Sequence, residues 1–136
     1  YSEVHDDETA ATTCGFWERA MVFFAEHAVT VVRLMSDNGP NYRSTAFAQL
    51  LDQHGIRHKF TRPYRPQTNG KAERFIQSAL REWAYGHPYA NSDQRREALP
   101  LWNHFYNWHR PHHGIGCKTP SSRLPRDRNN VLTLHN

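Results

Sequence analysis

The chain contains little that would tie it to an oxidising or a membrane environment. It has only two cysteines, Cys14 and Cys117, which lie 103 positions apart with no second cysteine near either. This spacing excludes a zinc site of the CxxC type and favours reduced thiols over a disulfide framework. No apolar run approaches the length of a membrane span, and the first ten residues lack the layout of a signal peptide. We expect a soluble, cytoplasmic protein.

Acidic residues become scarce after residue 30. The first 30 residues contain six acids and one arginine, Arg19, whereas the whole chain of 136 residues has a net charge of +4 and a pI of about 9.3. The remainder of the chain is therefore clearly basic. A basic surface suits a polyanionic partner, although in most proteins it serves only solubility. The length allows one domain with a single core.

Periodicity predicts short strands that alternate with helices. The predicted elements are a strand end at 1–5, a helix at 9–27, a strand at 29–35, a helix at 44–54, a strand or extended segment at 56–64, a helix from Asn69 onward and a helix at 93–109. Such an order is typical of an α/β layered domain with added C-terminal helices. Residues 124–136 are predicted to be a flexible tail, so that the core spans residues 1–123.

For some of these elements the sequence also predicts burial, strand pairing, capping or packing. Residues 29–35 (VTVVRLM) are apolar on both faces, which predicts a strand in the middle of a sheet. The opening YSEVH alternates like a strand already under way, which predicts a pairing strand upstream. Ser92 is the expected N-cap of the last helix. The helix after Asn69 has an apolar stripe that is expected to pack, formed by Ala72, Phe75, Ile76, Ala79, Leu80 and Trp83.

Two carboxylates are placed where they could meet. Asp37 follows the predicted strand at 29–35, and Glu73 lies in the first turn of a later helix, at the rim of its apolar stripe. Two acids at one sheet edge repel each other unless a cation joins them, and Mg²⁺ prefers such oxygen ligands. Each residue also has an ordinary explanation: Asp-Asn-Gly is a common turn, and a Glu in a first turn complements the helix dipole. Taken singly, the ordinary explanations are favoured; the pair is more specific.

Three motifs in order add a family resemblance. They are SDNG at 36–39, RPYRPQTNGKAERF at 62–75 and YNWHRPHHGIGCKTP at 106–120. With them the chain resembles the integrase catalytic core of bacterial insertion-sequence transposases, relatives of retroviral integrase. The resemblance implies a ribonuclease-H-like fold and a triad of two aspartates and a glutamate that binds two Mg²⁺ ions, which Mn²⁺ can replace. It matches Asp37 to the second aspartate and Glu73 to the glutamate. The implied reaction is attack of a DNA 3′-hydroxyl on a target DNA phosphate.

The first aspartate of that triad has no clear counterpart in the chain. Asp6 and Asp7 come 31 and 30 positions before Asp37, but they look like part of the start of a helix. We therefore expect that this ligand lies on a strand that the chain lacks, that metal binding is weakened, and that the chain alone is inactive. Whether Asp6 or Asp7 substitutes for it stays open.

The resemblance also implies DNA contacts and self-association. The residues expected to contact DNA are Lys71, Arg62, Tyr64, Arg65, Gln67 and Asn69, whereas Arg74 is expected only to be solvated. The partners implied are the transposon ends, the target DNA and further copies of the chain in a synaptic complex. A zinc site among His104, His109, His112 and His113 is not favoured, since no cysteine is paired with them.

Two alternatives to an active transposase core stay open. One is a non-catalytic DNA-binding or assembly remnant of a transposase, with the basic surface kept and the chemistry lost. The other is a ribonuclease-H-type nuclease that acts on RNA–DNA hybrids, which shares the fold but does not account for the motif at 106–120.

Overall fold

A computed structural model describes residues 1–62 and 70–124 of the chain. In these ranges helices and strands alternate as α1 (Ala10–Glu26), β1 (Arg33–Ser36), α2 (Thr45–Gln53), β2 (Arg57–Phe60), α3 (Gly70–Ala79) and α4 (Ser92–Trp108). A π-helical turn, Leu80–Ala84, continues α3, and two 3-10 helices, His113–Ile115 and Pro120–Arg123, follow α4. The predicted α/β class is confirmed. Within the described ranges, no helix is long and apolar enough to cross a bilayer.

The N-terminal region, residues 1–62, contains a compact core between α1, α2 and the strands. Side-chain caps start both helices: Thr9 accepts the N–H of Thr12, and Ser44 accepts the N–H of Phe47. Both helices were predicted close to their observed bounds. The core is formed by the buried side chains of Trp17, Ala20, Phe47, Leu51 and Ile56.

The two strands pair in parallel, from Arg33 opposite Arg57 to Ser36 opposite Phe60. Leu34 packs against the core and Ser36 is buried, whereas Val32 is 55% and Met35 is 53% exposed. The prediction of a strand buried on both faces is therefore wrong. In the part of the chain described, helices cover one face of β1 and only β2 pairs with it, so its outer face stays open.

Residues 1–5 do not form the predicted strand end, because no neighbouring strand pairs with them in the described ranges. They are held by side chains. The carboxylate of Glu3 accepts two hydrogen bonds from Arg19, each 2.8 Å long. The Ser2 hydroxyl donates to the Asn103 side chain over 2.7 Å, and the Asn103 amide donates back to the Ser2 carbonyl. The alternation in this segment thus reflects packing on α1 and α4.

The C-terminal region, residues 70–124, is more loosely packed. Phe75 of α3 contacts the rings of Trp102 and Tyr106 on α4. No residue of α3 itself is buried, however, and Ile76 and Leu80 are 53% and 42% exposed. The prediction that this stripe packs is thus confirmed at Phe75, whereas α4 leaves Ile76 and Leu80 largely uncovered.

The start of α4 differs by one residue from the prediction. Asn91, not Ser92, is the N-cap, and its side-chain oxygen accepts the N–H of Gln94. Pro100 lies inside this helix. The flexible tail predicted at 124–136 lies outside the described residues, except for Leu124.

Candidate functional site

Asp37 lies in a turn directly after β1, and the residues Asp-Asn-Gly favour such a turn. Its Oδ1 accepts the N–H of Gly39 over 2.9 Å, so the carboxylate folds back onto its own turn. This is the ordinary role that the Asp-Asn-Gly pattern suggests. The side chain is nevertheless exposed. The turn therefore fixes one oxygen of Asp37 and leaves the carboxylate accessible to solvent.

Side chains on both sides tie this turn to the N-terminal region. The amide of Asn38 donates to the carbonyl of Thr61, just after β2, over 3.0 Å. The amide of Asn41 donates to the hydroxyl of the buried Thr13 on α1 over 2.9 Å. A Cβ added at Gly39 would lie 2.7 Å from the Asn41 side-chain oxygen. Glycine is therefore needed here because of the close approach.

A polar pair lies behind Asp37, formed by the buried Ser36 and the partly buried His58. The hydroxyl of Ser36, which is 8% exposed, donates to the carbonyl of Asp37 over 2.9 Å and lies 2.8 Å from Nε2 of His58. Burial lowers the pKa of His58, so the ring is neutral near pH 7. These contacts fix the backbone from which the Asp37 side chain projects.

The space beside Asp37 is acidic. A cavity of about 410 Å³ separates the turn from the start of α1, and Asp37, Asp7, Glu8 and Tyr42 are among the residues that line it. Burial, followed by the charges of Asp37 and Glu8, raises the pKa of Tyr42. Asp7 is engaged locally, since it accepts the N–H and the hydroxyl of Thr9. Asp6 points elsewhere and pairs with Arg96 of α4 over 2.6 Å.

Glu73 is presented differently. It lies in the first turn of α3 and is exposed. Its helix is held to α4 through Phe75, whose ring centroid lies 5.7 Å from that of Trp102 and 5.1 Å from that of Tyr106. Among the contacts of residues 1–62 and 70–124, none orients the Glu73 carboxylate.

Asp37 lines the acidic cavity beside α1, and Glu73 is not among the residues that line this cavity; that the two carboxylates bind one ion stays a prediction. Across the described residues, no group of three or more His, Cys, Asp or Glu stands where it could hold a metal ion. The donor chemistry of the two carboxylates suits Mg²⁺, which prefers oxygen ligands. Both side chains are thus suitable ligands for Mg²⁺. Asp37 belongs to the N-terminal region and Glu73 to the C-terminal region.

Two of the residues predicted to contact DNA, Arg62 and Lys71, are described, and both are exposed. The others, Tyr64, Arg65, Gln67 and Asn69, lie outside the described residues.

Sequence reasoning missed an ion pair that orders the motif at 106–120. Glu82 accepts hydrogen bonds from Nε and Nη2 of Arg110, the shortest over 2.6 Å. The Arg110 guanidinium also lies 5.5 Å from the ring centroid of Tyr106. The hydrogen bonds to Glu82 raise the pKa of Arg110. Glu82 and Arg110 lie 28 positions apart, and no sequence pattern pairs residues at that distance. Glu82 itself lies one turn after Ser78, on the π-helical turn that continues α3.

Comparison with known families supports the resemblance. Two family models, both described as integrase core domain, match the chain, one over residues 1–66 and the other over residues 54–120. Together they span nearly all of the described structure.

Individual relatives agree with this assignment. The chain is 34% identical over 86 residues to the insertion element IS476 uncharacterized 39.2 kDa protein of Xanthomonas euvesicatoria, covering 63% of this chain and 25% of that protein. It is 27% identical over 103 residues to the transposase InsD for insertion element IS2A/D/F/H/I/K of Escherichia coli, covering 75% and 34%. The chain thus spans about a quarter to a third of the length of these relatives.

A solved structure extends the likeness to the fold. The catalytic core domain of BIV integrase superposes with a TM-score of 0.62 at 26% identity, covering 90% of this chain and 74% of that one. The ribonuclease-H-like fold implied by the motifs is therefore confirmed.

Proposed function

Because the chain belongs to the integrase core domain family, we propose that it serves DNA integration, as part of a DNA transposase that cleaves and transfers strands. The observation that carries this proposal is the pair of family matches that together span residues 1–120. The built turn at Asp37 supports it, since Ser36, Asn38 and Asn41 all hold that turn in place. The DNA substrate, transposon ends and target, belongs to the same proposal.

We further propose that Asp37 and Glu73 hold Mg²⁺, which Mn²⁺ can replace. Both carboxylates are exposed and supply hard oxygen ligands. When bound, such an ion neutralises charge on a phosphate and activates an attacking hydroxyl. The residues of this chain contribute the orientation: Gly39 fixes one oxygen of Asp37, and α3 carries Glu73.

Two carboxylates do not complete a two-metal site, and the described residues contain no group of three ligands. We therefore expect no strand transfer from this chain alone. The lack of a third metal ligand in the described part of the chain favours a second candidate function, a non-catalytic protein that binds DNA or assists assembly. Under either function the proposed DNA contacts are Lys71, Arg62, Tyr64, Arg65, Gln67 and Asn69, and self-association in a synaptic complex is expected.

Metal binding by single variants tests the assigned ligands. Mn²⁺ titration followed by electron paramagnetic resonance, with a short DNA duplex present, should show weaker binding in Asp37→Asn and in Glu73→Gln. The matched controls Asp52→Asn and Glu97→Gln change exposed carboxylates elsewhere and should bind Mn²⁺ as the unmodified chain does. Unchanged binding in both Asp37→Asn and Glu73→Gln would refute the assignment.

A joining assay separates the enzyme from the binding protein. Labelled duplex and plasmid DNA are incubated with the chain and Mg²⁺ or Mn²⁺, and joined product is measured. We expect no product from the chain alone. Joining that disappears in Asp37→Asn would show instead that the chain is catalytically complete, with Asp6 or Asp7 as the third ligand.

A further inference from the structure

Two histidine side chains meet at the C-terminal end of α4. Nε2 of His104, in the last two turns of the helix, lies 3.2 Å from Nε2 of His109, the residue that caps the helix. The ring centroids are 5.2 Å apart, so each Nε2 is turned toward the other ring. Both side chains are exposed to solvent. His104 and His109 are called the histidine pair below.

The separation of the two nitrogens suits a shared metal ion. An imidazole nitrogen that carries no proton is a good ligand for borderline divalent ions such as Zn²⁺. Zinc–nitrogen bonds are about 2.0–2.1 Å long, so two nitrogens at neighbouring corners of a zinc tetrahedron lie about 3.3–3.4 Å apart. The observed 3.2 Å is close to that distance. One ion can therefore bind both Nε2 atoms after a small rotation of the two exposed rings.

The position on the helix also favours a cation. The last carbonyl groups of a helix have no partner within the helix and carry partial negative charge. α4 is 17 residues long and has no basic residue in its last turn. Arg110, which follows the histidine pair in the chain, is engaged by both carboxylate oxygens of Glu82. A divalent ion at the pair would thus lie beside partial negative charge.

The protein supplies two ligands at this place. No third His, Cys, Asp or Glu joins the histidine pair within residues 1–62 and 70–124. Structural zinc sites usually have four protein ligands, and catalytic zinc sites have three. Two imidazoles leave the remaining positions of the ion to water, so the ion should exchange more readily than in either of those classes.

We propose that the histidine pair binds one Zn²⁺ ion through Nε2 of both residues, with water at the other positions. This site is separate from the proposed Mg²⁺ ligands, Asp37 and Glu73, because it offers nitrogen rather than oxygen and does not depend on the DNA function. From the sequence a zinc site was not favoured, since no cysteine accompanies these histidines. The structure brings two imidazoles together without one. The bound ion replaces the hydrogen bond between the rings and joins the last turns of α4 to the residue that precedes Arg110.

Calorimetric titration with Zn²⁺ tests the two ligands. The unmodified chain, His104→Ala and His109→Ala are titrated with Mg²⁺ in excess, which occupies oxygen ligands. Removing a group that only orients a metal ligand weakens binding by about 10–100-fold, so removing a ligand should weaken it by at least about tenfold. The matched controls His54→Ala and His87→Ala remove exposed histidines elsewhere and should bind as the unmodified chain does. No saturable binding, or equal affinity in all of these proteins, would overturn the proposal.

Nuclear magnetic resonance identifies the ligating atoms without a variant. Long-range proton–nitrogen spectra resolve Nδ1 and Nε2 of each imidazole. Added Zn²⁺ should shift Nε2 of His104 and of His109 together, in parallel with the calorimetric saturation, and should leave His54 unchanged. Shifts confined to one of the two rings, or found at Nδ1, would contradict a shared ion.

A competing pair is separated by its spectrum. Sγ of the exposed Cys117 lies 3.4 Å from Nδ1 of His113, and a thiolate is also a zinc ligand. Co²⁺ is therefore titrated in place of Zn²⁺, because a thiolate ligand adds a charge-transfer band in the near ultraviolet. We expect d–d bands without that band, and the same d–d bands in Cys117→Ser. A charge-transfer band that is lost in Cys117→Ser and kept in His104→Ala would place the ion at Cys117 and overturn the proposal.

Discussion

The N-terminal and C-terminal regions differ in how firmly they hold their candidate ligands. Of the seven buried apolar side chains within residues 1–62 and 70–124, five belong to the N-terminal region, whereas Leu99 and Trp102 belong to the C-terminal region. Accordingly, the turn of Asp37 is fixed by hydrogen bonds to strands and to α1, while Glu73 lies on a helix without a buried residue. Burial of apolar surface is what makes a polar turn rigid. Asp37 in the N-terminal region is therefore held more firmly than Glu73 in the C-terminal region.

The links between the regions are few and mostly polar. Ser2 exchanges hydrogen bonds with Asn103, Asp6 pairs with Arg96, and the His27 ring lies 5.8 Å from that of Trp108. An exposed ion pair such as that of Asp6 with Arg96 contributes little stability. The relative placement of Asp37 and Glu73 is thus weakly constrained within the chain. Binding of an ion or of DNA by both regions would restrict it.

The largest contrast is expected in core packing. Phe47→Ala removes a side chain that is 1% exposed and should destabilise the fold by about 3–5 kcal/mol. Ile76→Ala changes a side chain on α3 that is 53% exposed and should cost less than about 1 kcal/mol. Urea unfolding followed by circular dichroism measures both. Equal losses would show that α3 is buried in solution and would abolish the contrast.

The ion pair of the C-terminal region should have the next largest effect. Glu82→Gln weakens the paired hydrogen bonds to Arg110 and should cost about 1–2 kcal/mol, because both side chains are only partly exposed. Glu97→Gln, an exposed carboxylate on α4, provides the control and should be nearly neutral. The midpoints of thermal unfolding of Glu82→Gln and Glu97→Gln are compared with that of the unmodified chain. A loss no greater than that of Glu97→Gln would show that the hydrogen bonds between Glu82 and Arg110 do not stabilise the fold.

Two glycines should respond with opposite sign. At Gly39 a Cβ would lie 2.7 Å from the Asn41 oxygen and 3.1 Å from Oδ1 of Asp37, so Gly39→Ala should cost about 1 kcal/mol and displace the carboxylate. At Gly70 a Cβ meets nothing within 4 Å, and Gly70→Ala should stabilise α3 by up to about 0.5–1 kcal/mol. Chemical denaturation of both variants gives the signs. Stabilisation by Gly39→Ala would contradict the account of the turn.

The smallest effect concerns acid stability of the N-terminal region. Hydrogen bonds from Arg19 lower the pKa of Glu3 from 4.5 to about 2. A carboxylate with a lowered pKa in the folded state stabilises the fold above its unfolded pKa, and this contribution is lost as pH falls from about 4.5 to about 2. Glu3→Gln should remove about 1 kcal/mol or less at pH 7 and flatten stability in that acid range. The free energy of unfolding of both proteins is measured across this pH range. A pH profile that is the same with and without Glu3→Gln would contradict the pairing of Glu3 with Arg19.

How far the sequence predicts the structure also differs between the regions. The bounds of α1 and α2 followed from periodicity, since both helices pack their apolar faces on a core within the same region. The stripe of α3 was equally periodic, yet periodicity identifies an apolar face without saying what covers it. For the same reason the exposed face of β1 at Met35 could not be foreseen.

The candidate site was likewise only partly predictable. The turn chemistry at Asp37 followed from the residues Asp-Asn-Gly, and the structure builds that turn. Its partnership with Glu73 came from spacing and resemblance and stays a prediction. The ion pair of Glu82 with Arg110, by contrast, joins residues that lie 28 positions apart. Such a meeting is set by the packing of α3 on α4, which no local pattern encodes.

A double-mutant cycle on Mn²⁺ affinity tests most directly whether Asp37 and Glu73 bind the same ion. The dissociation constant is measured with DNA present for the unmodified chain, Asp37→Asn, Glu73→Gln and the double variant. If one ion is shared, the two losses are strongly coupled, and the double variant binds little more weakly than either single variant. Losses that add independently would show that the two carboxylates do not share an ion and would contradict the account.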